Sequence, residues 1–264
     1  MIKKRFNLFS IVFVISASLL SFMAIAALGQ PAISTPDATQ QAVTAAVAPQ
    51  PVSITPVSRP AASWQKRHNA MNERVKQGNA DLLVIGDSIT QGWEGAGKEV
   101  WNKFYKDRNA VNLGISGDQT QHVLWRLENG NIDGISPKLA MLMIGTNNAN
   151  AKQTPEEVAE GVKAIVEKLR EKLPQTKILV LGIFPRGADD QDSKRQTNMK
   201  ANEIIAKLAD DKMIFYLDIN DKFLDPDRKL SKDIMPDLLH PNTKGYEIWA
   251  EAVEPTIAKL MGEK

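Results

Sequence analysis

Along residues 63–264, short uninterrupted apolar runs alternate with stretches whose apolar positions recur every third or fourth residue. The first pattern reads as strands buried on both faces, the second as amphipathic helices. Leu82 to Ile85 is one such run, closed by Gly86. Ala110 to Leu113 runs into Gly114-Ile-Ser-Gly117-Asp118, Lys138 to Ile144 into Gly145-Thr146-Asn147-Asn148, and Lys177 to Ile183 into Phe184-Pro185-Arg186-Gly187. Met213 to Leu217 makes a fifth strand.

Trp64, His68, Met71 and Val75 share one helical face, and Val100, Trp101, Phe104 and Tyr105 mark a short helix. Gln119 to Leu127 reads as a helix with Val123, Leu124 and Leu127 inward and Asp118 as its N-cap. Thr154-Pro155-Glu156-Glu157 is a capping box ahead of the stripe Val158, Val162, Ile165, Val166 and Leu169. Lys200 to Leu208 is a further helix. Tyr246 to Val253 is the last, which Pro255 should kink or interrupt. Strands separated by helices make βαβ units, whose right-handed crossovers require a parallel sheet covered on both faces. The fold class is therefore α/β, a three-layer αβα sandwich with a five-stranded parallel sheet in the order 2-1-3-4-5. Its switch point lies between the first and third strands, so Ser88 and Asn147 should face one crevice.

Upstream the pattern changes. Lys3, Lys4 and Arg5 precede Leu8 to Leu28, an uncharged, mostly apolar stretch ending in small residues. It reads as an export signal, cleaved as a signal peptide or kept as a membrane anchor through residues 8–28. Residues 30–62 are rich in Ala, Pro, Thr and Ser without periodicity and read as an extended linker. The domain is placed at 63–264, where roughly 200 residues suffice for one substantial core. An exported location, periplasmic, envelope-tethered or extracellular, is the expectation.

The chain has no Cys, which excludes thiol catalysis and thiolate metal sites. Its formal net charge is +2 with 24% charged residues and no basic stripe, so nucleic-acid binding is not suggested. The three histidines are scattered, with no metal-ligand spacing, and no cofactor or metal is expected.

Candidate chemistry centres on Gly86-Asp87-Ser88, although the same tripeptide is ordinary turn chemistry. A serine hydroxyl needs a base to take its proton, usually a histidine oriented by a carboxylate. His68 lies on an inward helix face and reads as a core histidine; His122 lies within a helix. His240, in Met235-Pro-Asp237-Leu-Leu-His240, has an acid three residues before it. The N–H groups of Ser88 and Gly117 with the Asn147 amide supply the donor types an oxyanion needs. Gly117 and Asn147 also suit a turn and a cap. Ile89 and Leu239 flank the nucleophile and base and would line an acyl pocket or belong to the core. Gly-x-Ser-x-Gly is absent around Ser88, which removes the α/β-hydrolase elbow.

Together these segments resemble the SGNH (GDSL-type) hydrolases, a family named for a Ser, Gly, Asn and His carried in separate blocks. Gly86-Asp87-Ser88, Gly117 within Asn112 to Asp118, Gly145-Thr-Asn147 and Asp237-x-x-His240 occur in the family's order. His122 to Gly130, Gly145 to Asn148 and Val180 to Gly187 are similar to the catalytic subunits of the platelet-activating-factor acetylhydrolase IB branch and its bacterial relatives. The resemblance spans Trp64 to Leu260. It implies the flavodoxin-like fold of that family, Ser88 as nucleophile, His240 as base, Asp237 as orienting acid, Gly117 and Asn147 as oxyanion donors, and hydrolysis of short acyl esters, acetyl above all. The animal enzymes are cytosolic dimers with a regulatory partner; the export signal argues against carrying either feature over. The leading expectation is a secreted or tethered serine esterase acting on a small ester or acetylated carbohydrate. A lipid-directed acylhydrolase or thioesterase is one alternative, a catalytically silent binding module another.

Overall fold

The computed structural model describes residues 50–263. Helix α1 (Ala62–Lys76) leads into β1 (Leu82–Gly86), followed by α2 (Ser88–Gln91), α3 (Lys98–Phe104), β2 (Ala110–Gly114) and α4 (Thr120–Glu128). Then come β3 (Leu139–Met143), α5 (Thr146–Asn150), α6 (Pro155–Lys172), β4 (Lys177–Leu181), α7 (Ser193–Ile205), β5 (Ile214–Leu217) and α8 (Thr243–Met261). All pairings are parallel and the order is β2-β1-β3-β4-β5, as the helix-strand alternation implies.

Every residue of β1 and β3 is buried, which explains why their sequences are continuous apolar runs. Leu83 and Ile85 join the core beneath α1, α4, α6 and α7. Leu82 and Val84 point to the opposite layer, formed by α2, α3 and α8 with Trp93, Tyr246 and Trp249 at its centre. Gly86 pairs with both Gly114 and Met143, so three strands end in line and open their loops onto one crevice.

The α6 capping box forms as read: Thr154 Oγ1 accepts from the Glu157 N–H at 3.2 Å, and Glu157 Oε2 accepts from the Thr154 N–H at 2.7 Å. Four readings need correction. The N-cap of α4 is Gln119, not Asp118, whose carboxylate is drawn inward by Trp64 and Arg126. Helix α7 starts at Ser193, because Asp192 caps it and its inward residues Arg195, Asn198 and Asn202 are polar, which hides the apolar period. Pro255 does not interrupt helix α8, which runs on to Met261: Tyr246, Trp249 and Val253 before it and Ile257 and Leu260 after it are all buried, and this packing outweighs one lost backbone hydrogen bond. Residues 50–61 belong to the folded part rather than to an extended linker, since Ser53 is buried and Arg59 bonds the loop after β2.

The export segment lies outside the described residues. Among the described residues no helix is long and apolar enough to cross a membrane.

Candidate active site

Ser88 is the first residue of α2, separated from the strand end at Gly86 by the single residue Asp87. A Cβ at Gly86 would run into the Thr90 side chain and the Met143 carbonyl, so the tight reversal from strand to helix requires glycine there. Asp87 Oδ1 caps α2 by accepting from the Ile89 N–H at 3.0 Å. The Ser88 side chain is thereby presented, partly exposed, at the crevice.

The loop after β5 brings the other half. Asp237 Oδ1 accepts from the backbone N–H groups of Leu239 (3.1 Å) and His240 (2.7 Å), folding the loop so that Oδ2 meets His240 Nδ1 at 2.6 Å. His240 Nε2 lies 2.9 Å from Ser88 Oγ. With the ring proton on Nδ1 and donated to Asp237, Nε2 accepts from the serine hydroxyl. The Gly187 N–H donates to the Leu238 carbonyl at 2.9 Å, anchoring this loop to the one after β4. Burial acts to raise the Asp237 pKa, yet the side-chain and backbone hydrogen bonds of His240 outweigh it and hold the carboxyl below the usual range.

Gly117 and Asn147 meet at the same crevice. Gly117 sits in a turn at φ +76°, and Asn147 Nδ2 donates to the Asp118 carbonyl at 3.0 Å and lies 3.4 Å from Asp87 Oδ2. Among the described residues, the Ser88 and Gly117 backbone N–H groups are left without a protein acceptor, whereas the Asn147 amide is held by the Asp118 carbonyl.

Several groups beneath the site carry no motif. Asp87 is fully buried; burial pushes its carboxyl up to about 7, opposed by the Ile89 N–H, reinforced by the Asp118 charge and opposed again by His240. Asp118, also fully buried, accepts from Trp64 Nε1 at 2.6 Å and Arg126 Nε at 2.9 Å, while Arg126 Nη2 reaches the Gly86 carbonyl at 3.3 Å. This buried pair ties the end of β1 to the Gly117 turn. A buried Asp and Arg eight residues apart were the available sequence signal, masked by assigning Asp118 to the helix cap.

The other histidines stay out of the site. His68 is 3% exposed, stacked on Trp64 and tilted against Trp125, with its pKa lowered by burial and by Arg126. His122 Nδ1 accepts from the Gln119 N–H at 3.0 Å and closes the α4 cap. Trp125 packs α4 against α1. Arg186 Nη1 donates to Thr146 Oγ1 at 3.0 Å, steadying the residue before Asn147. Ile89 is 1% exposed and packed within the α2–α3–α8 layer, whereas Leu239 is half-buried beside His240. A cavity of about 530 Å³ lies elsewhere, between α1 and the β2 edge, lined by Lys66, Arg67, Met71, Arg74 and Asn112.

Comparison with known proteins settles the family. Residues 84–248 match the model of the GDSL-like lipase/acylhydrolase family. The chain belongs to that family. This acylhydrolase is 37% identical over 204 residues to platelet-activating factor acetylhydrolase IB subunit alpha2 of Rattus norvegicus, covering 76% of this chain and 86% of that protein. It is 35% identical over 201 residues to subunit alpha1 of Homo sapiens, covering 76% and 85%. Its fold is similar to that of a catalytic mutant of an acetylxylan esterase from Geobacillus stearothermophilus, with a TM-score of 0.54 at 20% identity over 71% of this chain and 96% of the other. The acylhydrolase is an ester-hydrolysing enzyme. The segment matched by the family model contains Ser88, Gly117, Asn147, Asp237 and His240.

Proposed function

We propose that this acylhydrolase is a secreted or envelope-tethered serine esterase that removes short acyl groups, acetyl above all, from a carbohydrate, through Ser88, His240 and Asp237. The observation carrying the reading is the continuous hydrogen-bond relay from Ser88 Oγ through the His240 ring to Asp237, at 2.9 and 2.6 Å.

Ser88 Oγ attacks the ester carbonyl carbon while its proton passes to His240 Nε2. The carbonyl oxygen, now negative, is received by the N–H groups of Ser88 and Gly117 and by the Asn147 amide. Collapse breaks the carbon–oxygen bond to the alcohol, which leaves with the proton from His240. Water then attacks the acyl-serine, giving its proton to His240; the acid leaves and Ser88 regains its hydrogen. Asp237 holds the ring orientation and stabilises the imidazolium. Leu239, half-buried beside the base, is the available apolar wall for a short acyl group. Ile89 is packed into the core and can shape that wall only from beneath.

Acetyl as the acyl group is supported by the names of the sequence relatives and of the esterase that shares the fold. Carbohydrate as the alcohol is supported by the latter name together with the export-type N-terminus. A second reading, an acetylated lipid alcohol, is favoured by the platelet-activating factor acetylhydrolase relatives. The deciding experiment measures acetate release by the full chain from acetylated polysaccharides, acetylated peptidoglycan and acetylated phospholipid. Release from the polysaccharides or peptidoglycan fits the first reading and release from phospholipid alone replaces it with the second. Preference for octanoyl over acetyl p-nitrophenyl esters would reject the short-acyl reading.

A further inference from the structure

Residues 50–61 take no part in the chemistry just described, yet their contacts converge on the two turns that carry Gly117 and Asn147. Thr120 Oγ1 donates to the carbonyl of the buried Ser53 at 2.8 Å. The same Thr120 is bonded twice to Asn148, the neighbour of Asn147, with its N–H to Oδ1 at 3.1 Å and Asn148 Nδ2 to its Oγ1 at 2.8 Å. The Val57 N–H donates to the Gln121 carbonyl at 3.3 Å. Gln65 Nε2 donates to the Arg59 carbonyl at 2.8 Å, fixing the last part of the strap to α1.

Arg59 is where the strap reaches the site. Its Nη1 donates to the Ser116 carbonyl at 2.7 Å and lies 3.5 Å from Asp118 Oδ1. A Cβ on Gly117 would lie 3.0 Å from Nη1 and 3.3 Å from Nη2, so the guanidinium covers the glycine itself. Asp118 is already engaged by Trp64 and Arg126, and the shortest tie of Arg59 is to Ser116. That carbonyl belongs to the same peptide unit as the Gly117 N–H. In a planar trans peptide the two point in opposite directions, so holding the oxygen sets the direction of the N–H. A cation on the oxygen also polarises the amide and makes its N–H a stronger donor.

We infer that Arg59 is a positioning residue that orients and polarises the Ser116–Gly117 peptide, making the strap before α1 part of the oxyanion-stabilising apparatus. This rests on Gly117 serving as an oxyanion donor in the esterase reading. The strap acts on the developing negative oxygen and not on the ground-state ester, so its loss falls on turnover and leaves substrate binding nearly unchanged.

The experiment uses the full chain, wild type beside Arg59→Ala, Arg59→Lys and Ser88→Ala, assayed with p-nitrophenyl acetate, with thermal melts on each. Arg59→Ala should lower kcat roughly tenfold to a hundredfold, less than outright removal of a donor, with KM within about twofold. Arg59→Lys should recover part of the rate, and added guanidinium ion should partly rescue Arg59→Ala while leaving wild type unchanged. Wild-type kcat in Arg59→Ala overturns the inference while leaving the esterase reading intact, provided Ser88→Ala is inactive. A loss that follows the fraction unfolded and responds to neither Lys nor guanidinium overturns it equally. A wild-type chain without turnover overturns both.

Discussion

Ser88 Oγ and His240 Nε2 lie 2.9 Å apart although 152 positions separate them in the chain. One is delivered by the end of the first strand and the other by the loop after the last, and the parallel sheet brings both to its carboxyl edge. The contact uses the one histidine that faces the serine: His68 is stacked among tryptophans and His122 is spent on a helix cap.

Replacement of either partner should remove nearly all turnover. Ser88→Ala and His240→Ala are each expected to lower kcat for p-nitrophenyl acetate by on the order of 10⁴ or more, with KM little changed. Asp237→Asn should be milder than either, because the pair is half-exposed and water can partly replace the carboxylate. Steady-state kinetics on the three variants checks the order.

In the proposed mechanism Asn147→Ala removes one donor from the oxyanion, and it is expected to cost roughly 10² to 10³ in kcat. The same amide holds the Asp118 carbonyl at 3.0 Å, so a melt on the variant separates lost chemistry from lost packing. Undiminished kcat would take Asn147 out of the mechanism.

Burial raises the Asp87 pKa to about 7, with Asp118 adding to the shift and the Ile89 N–H, His240 and a backbone hydrogen bond opposing it. The folded carboxyl holds its proton across a range where the unfolded chain, near pH 4, has already released it. The folded state therefore binds more protons from about pH 4 to 7, and this group's contribution to stability falls as pH rises through that window. Asp87→Asn keeps the shape and removes the titration, so its Tm relative to wild type should be more favourable at pH 8 than at pH 5. A difference that does not change with pH would contradict the assignment.

The Arg126–Asp118 pair is fully buried, and removing Arg126 leaves the buried Asp118 charge with the partly exposed Arg59, at 3.5 Å, as its nearest cation. Arg126→Met is expected to destabilise the fold by about 3–5 kcal/mol, read from denaturant melts. The double variant Arg126→Met/Asp118→Leu should recover part of that loss, since neither charge then remains buried. A single variant with unchanged stability would mean that the pair adds nothing.

Strand order and the positions of Ser88, Asp237 and His240 were legible because each depends on local signals: unbroken apolar runs in β1 and β3, glycine at the strand ends, and an Asp-x-x-His turn. What stayed hidden was polar and buried. The start of α7 was masked because Arg195, Asn198 and Asn202 occupy its inward face where apolar residues would mark the period. Asp118 had the right residue type and position for a cap, and only the tertiary placement of Trp64 and Arg126 shows where its carboxylate goes. Arg59 sits in a proline-rich stretch that reads as linker, and its hydrogen bond to Ser116 spans 57 positions with no local pattern.

The most direct measurement is covalent labelling with diisopropyl fluorophosphate followed by peptide mass spectrometry. A single phosphoryl adduct on Ser88, formed by the wild-type chain and lost in His240→Ala, is the predicted result. An intact wild-type protein that takes no label, or takes it on a different serine, would contradict Ser88 as the nucleophile.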